Sequence, residues 1–142
     1  GCPGVIHLNG SIHSPRGFAC ARPHEQGMST LNEPEHGRRI EPPRCRHCNG
    51  KVRPGVVWFG ESLPEQAWRE AMAAVRDCDL LLSVGTSGLV QPASEIPRIA
   101  REHGAVVVHV NLQRESVQGE REFSLVGKAA EILPRLLAQA DE

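Results

Sequence analysis

The spacing of hydrophobic residues changes near residue 52, and the change divides the chain into two parts of different character. Residues 1–16 contain a few apolar positions, which predict one short buried strand. Residues 17–50 are rich in proline, glycine, arginine, histidine and glutamate, and a segment of this kind needs an added constraint to hold a shape. Within it, we expect residues 26–41 to be flexible. The apolar positions of the first part are Val5, Ile6, Leu8 and Ile12.

Three apolar runs after residue 52 are typical of buried β-strands. They cover residues 56–59, 80–84 and 105–110. The second run is nearly continuous, so we expect it to be buried on both faces of a sheet.

Apolar residues at helical spacing separate and follow these strands. Ser62 and Glu65 form a capping-box pattern, which predicts the start of a first helix. Further helices are predicted at residues 94–103 and 129–140, where Pro134 either kinks the helix or belongs to its first turn. The expected inward faces are Trp68, Met72 and Val75, then Ile96, Ile99 and Ala100, then Ile132, Leu133, Leu136 and Leu137.

Polar residues follow two of the predicted strands. Gly85, Thr86 and Ser87 come after the strand at 80–84, and Asn111 comes after the next one. A strand, helix and strand in this order form a parallel βαβ unit, whose carboxyl ends meet at the edge where such sheets bind ligands. The hydroxyls and the carboxamide suit the ribose and phosphates of a nucleotide. The alternative is an ordinary turn and strand end, because the chain has no GxGxxG and no Walker loop.

Composition and charge exclude several classes of function. The 142 residues are 39% hydrophobic, which is enough for a packed core. With 16 basic and 17 acidic side chains the net charge is −1, so we expect no nucleic-acid partner. No apolar run approaches the ~18 residues that span a membrane, and the N-terminus lacks the pattern of a signal peptide. We therefore expect a cytoplasmic monomer without a membrane partner.

The five cysteines predict a metal site rather than disulfides, because their number is odd and no secretory segment is present. Cys45 and Cys48 form a C-x2-C knuckle, whose spacing lets two thiolates bind one tetrahedral ion. Cys20 belongs to a second knuckle in which Gly17 stands where the first thiolate is expected. The site is therefore either a zinc centre with three thiolates or a metal-free turn. Candidates for the fourth ligand are water and the histidines His13, His24 and His47.

Four strings follow one another along almost the whole chain: RCRHCNGKVRPGVVWFGESLP, DLLLSVGTSGLVQPASEIP, GAVVVHVN and GKAAEILPRLL. In order and spacing they resemble the C-terminal part of the sirtuins, which are NAD-dependent protein-lysine deacylases. The resemblance is strongest to the bacterial class that includes desuccinylase-like enzymes. It implies an α/β fold with a partial Rossmann-like parallel sheet at 51–142, a small zinc-ribbon-like module at 17–50, and a linker or strand at 1–16.

The resemblance implies a role for each matching residue. NAD would lie against the loops that follow the strands, and an acylated lysine peptide would add as a strand, with its lysine in an apolar tunnel. The residues implied in NAD binding are Gly85, Thr86, Ser87, Asn111, Leu112, Gln113 and Ala129. Those implied in substrate binding are Val57, Trp58, Phe59, Gly60, Glu61, Gly88, Leu89 and Val90. Those implied in zinc binding are Cys20, Cys45 and Cys48.

The resemblance also implies that some of the family's machinery lies outside this sequence. By the family pattern the catalytic histidine and the glycine-rich loop fall upstream of Gly1, so none of the seven histidines is catalytic. We expect the whole enzyme to transfer an acyl group from lysine to ADP-ribose with release of nicotinamide, and this chain alone to be inactive. Its zinc site would be incomplete because of Gly17. The alternative is a non-catalytic remnant that binds zinc or a nucleotide.

Overall fold

A computed structural model describes residues 4–24, 39 and 41–140 of the chain. The chain divides into two compact units, Gly1–Arg69 and Glu70–Glu142, and each is described by itself. The segment expected to be flexible, residues 26–41, lies outside the described residues except for positions 39 and 41. The domain boundaries drawn from the sequence stay predictions.

The first unit contains an antiparallel pair of strands, β1 (Gly10–Gly17) and β2 (Val52–Val56). The prediction of a buried strand at the start of the chain is wrong, because β1 begins only at Gly10 and the side chain of Ile12 is 61% exposed. The predicted strand at 56–59 is displaced, since β2 ends at Val56 and an exposed loop follows. The pairing of β1 with β2 brings the end of β1, at Gly17, next to Val52.

Helix α1 (Glu65–Asp77) has the inward face that the sequence predicts. Met72 and Val75 are buried together with Ala71, and Trp68 is half-buried. The capping position differs from the prediction, because the backbone N–H of Trp68 donates to the carbonyl of Pro64 at 2.9 Å. Pro64 therefore precedes the first helical residue, and Ser62 lies too far back to cap the helix.

The second unit is an α/β structure with a three-stranded parallel sheet. Its strands are β3 (Leu80–Val84), β4 (Val106–Asn111) and β5 (Glu122–Val126), in the order β3-β4-β5. A 3-10 turn (Ala93–Glu95) leads into α2 (Ile96–Glu102), which connects β3 to β4, and α3 (Ala129–Ala140) follows β5. The α/β class and the parallel sheet are as predicted, whereas β5 was not predicted at all.

The core of the second unit lies around the central strand. Val107 and Val110 of β4 are almost fully buried, and so are Ala100 and Ala105. The prediction that β3 is buried on both faces is wrong, because β3 is an edge strand of the described sheet and Leu80 is 55% exposed.

In α3 one expectation fails, because Leu137 is 65% exposed instead of inward-facing. Of the two alternatives for Pro134, its place inside the helix excludes the first turn and leaves the kink. Within the described residues, no helix has both the length and the apolar character needed to cross a bilayer.

Candidate nucleotide site and metal centre

Three loops meet at the carboxyl edge of the parallel sheet. The side-chain Nδ2 of Asn111 donates to the carbonyl of Thr86 at 2.7 Å, which joins the loop after β4 to the loop after β3. The backbone N–H of Gly127, after β5, donates to the carbonyl of Asn111 at 2.9 Å. The structure therefore brings together the Gly-Thr-Ser turn and Asn111, as the parallel pairing predicts, and adds a third loop.

The loop after β3 leaves open space in front of its backbone. Gly85 and Gly88 have φ values of 61° and 63°, in the left-handed region that glycine tolerates best. A Cβ atom built on either residue would meet nothing within 4 Å. The hydroxyl of Thr86 accepts a hydrogen bond from the Gly88 amide at 3.2 Å, and that of Ser87 accepts one from the Leu89 amide at 3.4 Å. Both hydroxyl groups keep their protons to donate to a ligand.

The carboxamide of Asn111 is already engaged by the protein. Its Oδ1 accepts from the Leu112 amide at 2.8 Å, and its Nδ2 also donates to Glu115 Oε1 at 2.8 Å. Asn111 thus holds the loops in place, a role that the sequence did not indicate. Leu112 and Gln113 are exposed, and Ala129 is half-buried at the first position of α3. Direct contacts of these residues with NAD stay predictions.

A cavity of about 420 Å³ lies in the second unit, partly under α2. Of the residues predicted to bind NAD, only Thr86 lines it, although Gly88 of the predicted substrate set lines it too. His109 and Glu122 also line the cavity, and His109 Nε2 lies 2.9 Å from Glu122 Oε1. Burial raises the pKa of Glu122, but hydrogen bonds from His109 and the Gln118 amide lower it overall. The sequence gives no sign of this pair, because the two residues lie on different strands.

In the first unit, the predicted substrate loop is built around a buried arginine. Arg53 is only 8% exposed and makes a two-point ion pair with Glu61, one arm of which is 3.0 Å long. Its guanidinium carbon lies 3.5 Å from the ring centre of Trp58, which is a cation–π contact. Glu61 also accepts from the Trp58 amide at 3.0 Å. These contacts fix the backbone of the loop and leave Phe59, which is 99% exposed, projecting into solvent.

The ion pair sets the acidity of Glu61. Hydrogen bonds from the Arg53 guanidinium and then from the Trp58 amide lower the pKa of Glu61 to about 2. Glu61 therefore stays charged at neutral pH and serves the loop's own structure. The sequence placed Glu61 in the loop, but it did not identify Arg53 as its partner.

Replacing Glu61 by glutamine is expected to lower the melting temperature at neutral pH. Because the folded-state pKa is depressed, this stabilisation is complete above the unfolded value of about 4.5 and is lost as the pH falls towards 2. The difference in melting temperature between the parent and Glu61→Gln should therefore shrink over this range, as measured by circular dichroism with a chelator present. Glu65→Gln is the matched control, since its partner Arg69 forms an exposed pair. If the difference in melting temperature between the parent and Glu61→Gln were the same at both ends of this pH range, the ion pair would not account for the stabilisation.

Three cysteines form a cluster in the first unit. The sulfur atoms of Cys20, Cys45 and Cys48 all lie within 4.8 Å of one another, and those of Cys20 and Cys45 are 3.7 Å apart. Zinc–sulfur bonds of about 2.3 Å place two sulfurs of a tetrahedral site roughly 3.8 Å apart. The cluster is therefore compatible with zinc. Hydrogen bonds from the amides of His47 and Cys48 lower the pKa of Cys45 to about 7, which favours the metal-binding thiolate.

The histidines considered as a fourth ligand do not join this cluster. His13, His24 and His47 are all among the described residues, and the group of potential ligand atoms there contains the three cysteines alone. The spacing of histidines along the sequence was therefore not a guide to their position around the sulfurs.

Comparisons with known proteins identify relatives of this chain. The family model for the Sir2 family matches residues 1–92. The chain is 61% identical over 136 residues to NAD-dependent protein deacylase 1 of Pseudomonas aeruginosa, covering 96% of this chain and 54% of that protein. A solved Sir2 homologue in complex with NAD is 34% identical, with a TM-score of 0.82, over 99% of this chain and 52% of its own.

A third relative, the protein Sir2Tm bound to a propionylated peptide, is 28% identical with a TM-score of 0.78, over 99% of this chain and 58% of its own. The chain thus spans about half the length of the relatives it matches. The match of the family model, the level of identity and the shared fold lead to one conclusion: this chain belongs to the Sir2 family of sirtuins.

Proposed function

We propose that the chain forms part of an NAD-dependent protein-lysine deacylase and contributes half of its NAD site, a substrate loop and the metal module. The observation that carries this proposal is the hydrogen bond from Asn111 to the Thr86 carbonyl. It joins two polar loops at the ligand-binding edge of a parallel sheet. NAD, when bound, supplies the ADP-ribose that accepts the acyl group while nicotinamide leaves.

The residues of the loop after β3 fit the phosphates and ribose of NAD. The left-handed glycines allow the backbone to approach the ligand, and the hydroxyl protons of Thr86 and Ser87 can bond to its oxygens. Asn111 keeps this loop beside those that follow β4 and β5, where Leu112, Gln113 and Ala129 complete the proposed site. The relative solved with NAD supports this assignment.

We assign acylated lysine peptides as the substrate class, which the relative bound to a propionylated peptide supports. In the first unit, Arg53 holds the segment 57–61 through its ion pair with Glu61, and this segment presents the exposed ring of Phe59. In the second unit, Leu89 is 82% exposed and Val90 is 52% exposed. Each segment offers apolar side chains and backbone groups to an extended peptide.

Within this proposal, no residue of the chain acts as the general base, and the chain alone does not turn over. The metal centre stabilises the first unit and takes no part in the chemistry. A monomeric state and a cytoplasmic location stay predictions from the sequence.

The chain alone is expected to bind ADP-ribose weakly, with a Kd on the order of 1 mM, because only part of the pocket is present. Saturation-transfer NMR should show contacts to the adenosine protons, and Thr86→Val should reduce them several-fold. Ser62→Ala, which removes a hydroxyl in the other unit, is the control and should bind as the parent does. Absence of any saturation-transfer signal at an ADP-ribose concentration roughly ten times this Kd would contradict the assignment of a nucleotide site.

A further inference from the structure

Glu122, the first residue of β5, is an acidic side chain that contacts three other parts of the second unit. Its carboxylate lies 2.9 Å from His109 Nε2 on β4 and accepts a hydrogen bond from the Gln118 amide at 2.6 Å. It also forms an ion pair with Arg101 of α2, whose Nη1 lies 3.4 Å away. The side chain of Glu122 is only 9% exposed. A carboxylate at this depth needs such partners to compensate for its lost hydration.

Gln118 is held through both of its backbone groups. Its amide donates to Glu122, and its carbonyl accepts from the guanidinium of Arg101. Arg101 also donates to the side-chain Oε1 of Gln118 at 3.4 Å. The two opposite charges therefore fix the position of Gln118 relative to α2 and β5.

Gln118 belongs to the loop 112–121, which joins β4 to β5 and forms no helix or strand along its described length. An irregular segment loses conformational freedom when it is ordered, so contacts must hold it in place. One attachment lies at Glu115, whose amide donates to Ser124 Oγ at 3.0 Å and whose carboxylate accepts from Asn111. The contacts of Gln118 provide a second attachment, towards the other end of the loop.

The loop 112–121 connects these buried contacts with the proposed nucleotide site. It begins with Leu112 and Gln113, which the proposed function assigns to NAD. Gln118 lines the cavity of about 420 Å³ that Thr86 of the loop after β3 also lines. A displacement of Gln118 would therefore alter the wall of this cavity and release the loop that carries the two residues assigned to NAD.

We propose that Glu122 is a positioning residue of the nucleotide site, which holds the loop 112–121 so that Leu112 and Gln113 face the ligand. The inference deepens the proposed function and rests on it. Glu122 acts through the loop and does not touch the ligand. Its loss should therefore weaken nucleotide binding although every residue assigned to NAD is still present.

Glu122→Ala in the full chain removes all three contacts and tests this proposal. The Kd for ADP-ribose is measured by saturation-transfer NMR and hydrogen exchange at the Gln118 amide by NMR, at a temperature where circular dichroism shows each variant to be folded. We expect this amide to exchange roughly tenfold faster, because it loses a hydrogen bond to a charged group. The Kd for ADP-ribose should rise at least about threefold, because the ligand must then order the loop itself.

Arg101→Gln is an independent variant, because it releases the Gln118 carbonyl from α2 and leaves β5 unchanged. It should raise the exchange rate at Gln118 and the Kd for ADP-ribose in the same direction, and it decides the question if Glu122→Ala does not fold. Arg69→Gln is the matched control, since Arg69 forms an exposed ion pair with Glu65 on α1. Both quantities should then stay as in the parent.

Val107→Ala distinguishes a loss of stability from a loss of loop position. Val107 is fully buried in β4, so its truncation should lower the melting temperature but leave the Kd for ADP-ribose of the folded chain unchanged. The proposal would be overturned if Val107→Ala raised this Kd as much as Glu122→Ala does. It would also be overturned, with the nucleotide site still standing, if Glu122→Ala and Arg101→Gln bound ADP-ribose as the parent does. A parent chain that bound no ADP-ribose would instead refute the proposed function, and this inference with it.

Discussion

Fusion of this chain to the portion of the Pseudomonas aeruginosa deacylase that it does not cover is expected to produce an active enzyme. The chain alone should be at least ~10³-fold less active, because general-base catalysis by a histidine alone contributes roughly 10²–10⁴ and the rest of the NAD pocket is also absent. The 61% identity over the matched region makes the exchange conservative. Release of nicotinamide from NAD and a propionylated peptide, followed by mass spectrometry, measures both proteins.

Two controls make this comparison specific. The same fusion should lose activity but still bind ADP-ribose when alanine replaces the histidine that the family resemblance implies is catalytic, in the relative's portion. A well-folded fusion that binds the nucleotide yet never deacylates would refute the proposed function. Nicotinamide release by the chain alone would instead refute the assignment of the general base to the other portion.

The sequence predicted the parts of the fold that depend on long apolar runs. The apolar runs at β3 and β4 predicted two strands, although only β4 contributes buried residues to the core, and their parallel pairing follows from the helix between them. β5 (Glu122–Val126) was missed because its sequence EFSLV is short and has only three apolar positions. Its place is set by pairing with β4, which is a tertiary effect that no local pattern encodes.

The candidate site likewise contains features that the local sequence predicts and contacts that depend on the folded structure. The position of Asn111 at the end of a strand was predictable, because parallel strands place their carboxyl ends at one edge. The hydrogen bond from Asn111 to Glu115 could not be predicted, because the orientation of the side chain depends on the loop that follows. From the sequence alone, Arg53 is one more charged residue in a basic stretch, although its burial against Trp58 makes it the centre of the proposed substrate loop. Partner choice among charged side chains is decided by packing, not by spacing.

Asn111→Asp in the active fusion is expected to raise the KM for NAD at least tenfold, or about 1.4 kcal/mol of binding free energy. The substitution removes the N–H groups that bond to the Thr86 carbonyl and to Glu115. It also places a second carboxylate about 3 Å from the Glu115 oxygen, where like charges repel. Both effects separate the loop after β4 from the loop after β3, so the two halves of the nucleotide pocket no longer face the same ligand. Steady-state kinetics with NAD as the varied substrate measures the change.

A second substitution distinguishes repulsion between the carboxylates at positions 111 and 115 from the loss of the hydrogen bond to the Thr86 carbonyl. Adding Glu115→Gln to Asn111→Asp removes the like charge and offers an N–H group to the new carboxylate, so it should recover part of the lost affinity for NAD. Gln139→Glu, which adds the same charge at an exposed position of α3, should leave KM unchanged. If Asn111→Asp also left KM unchanged, the junction of the loops would have no part in binding NAD. If instead the double variant recovered nothing, repulsion would have no part in the loss, and the missing hydrogen bond from position 111 to the Thr86 carbonyl would account for it.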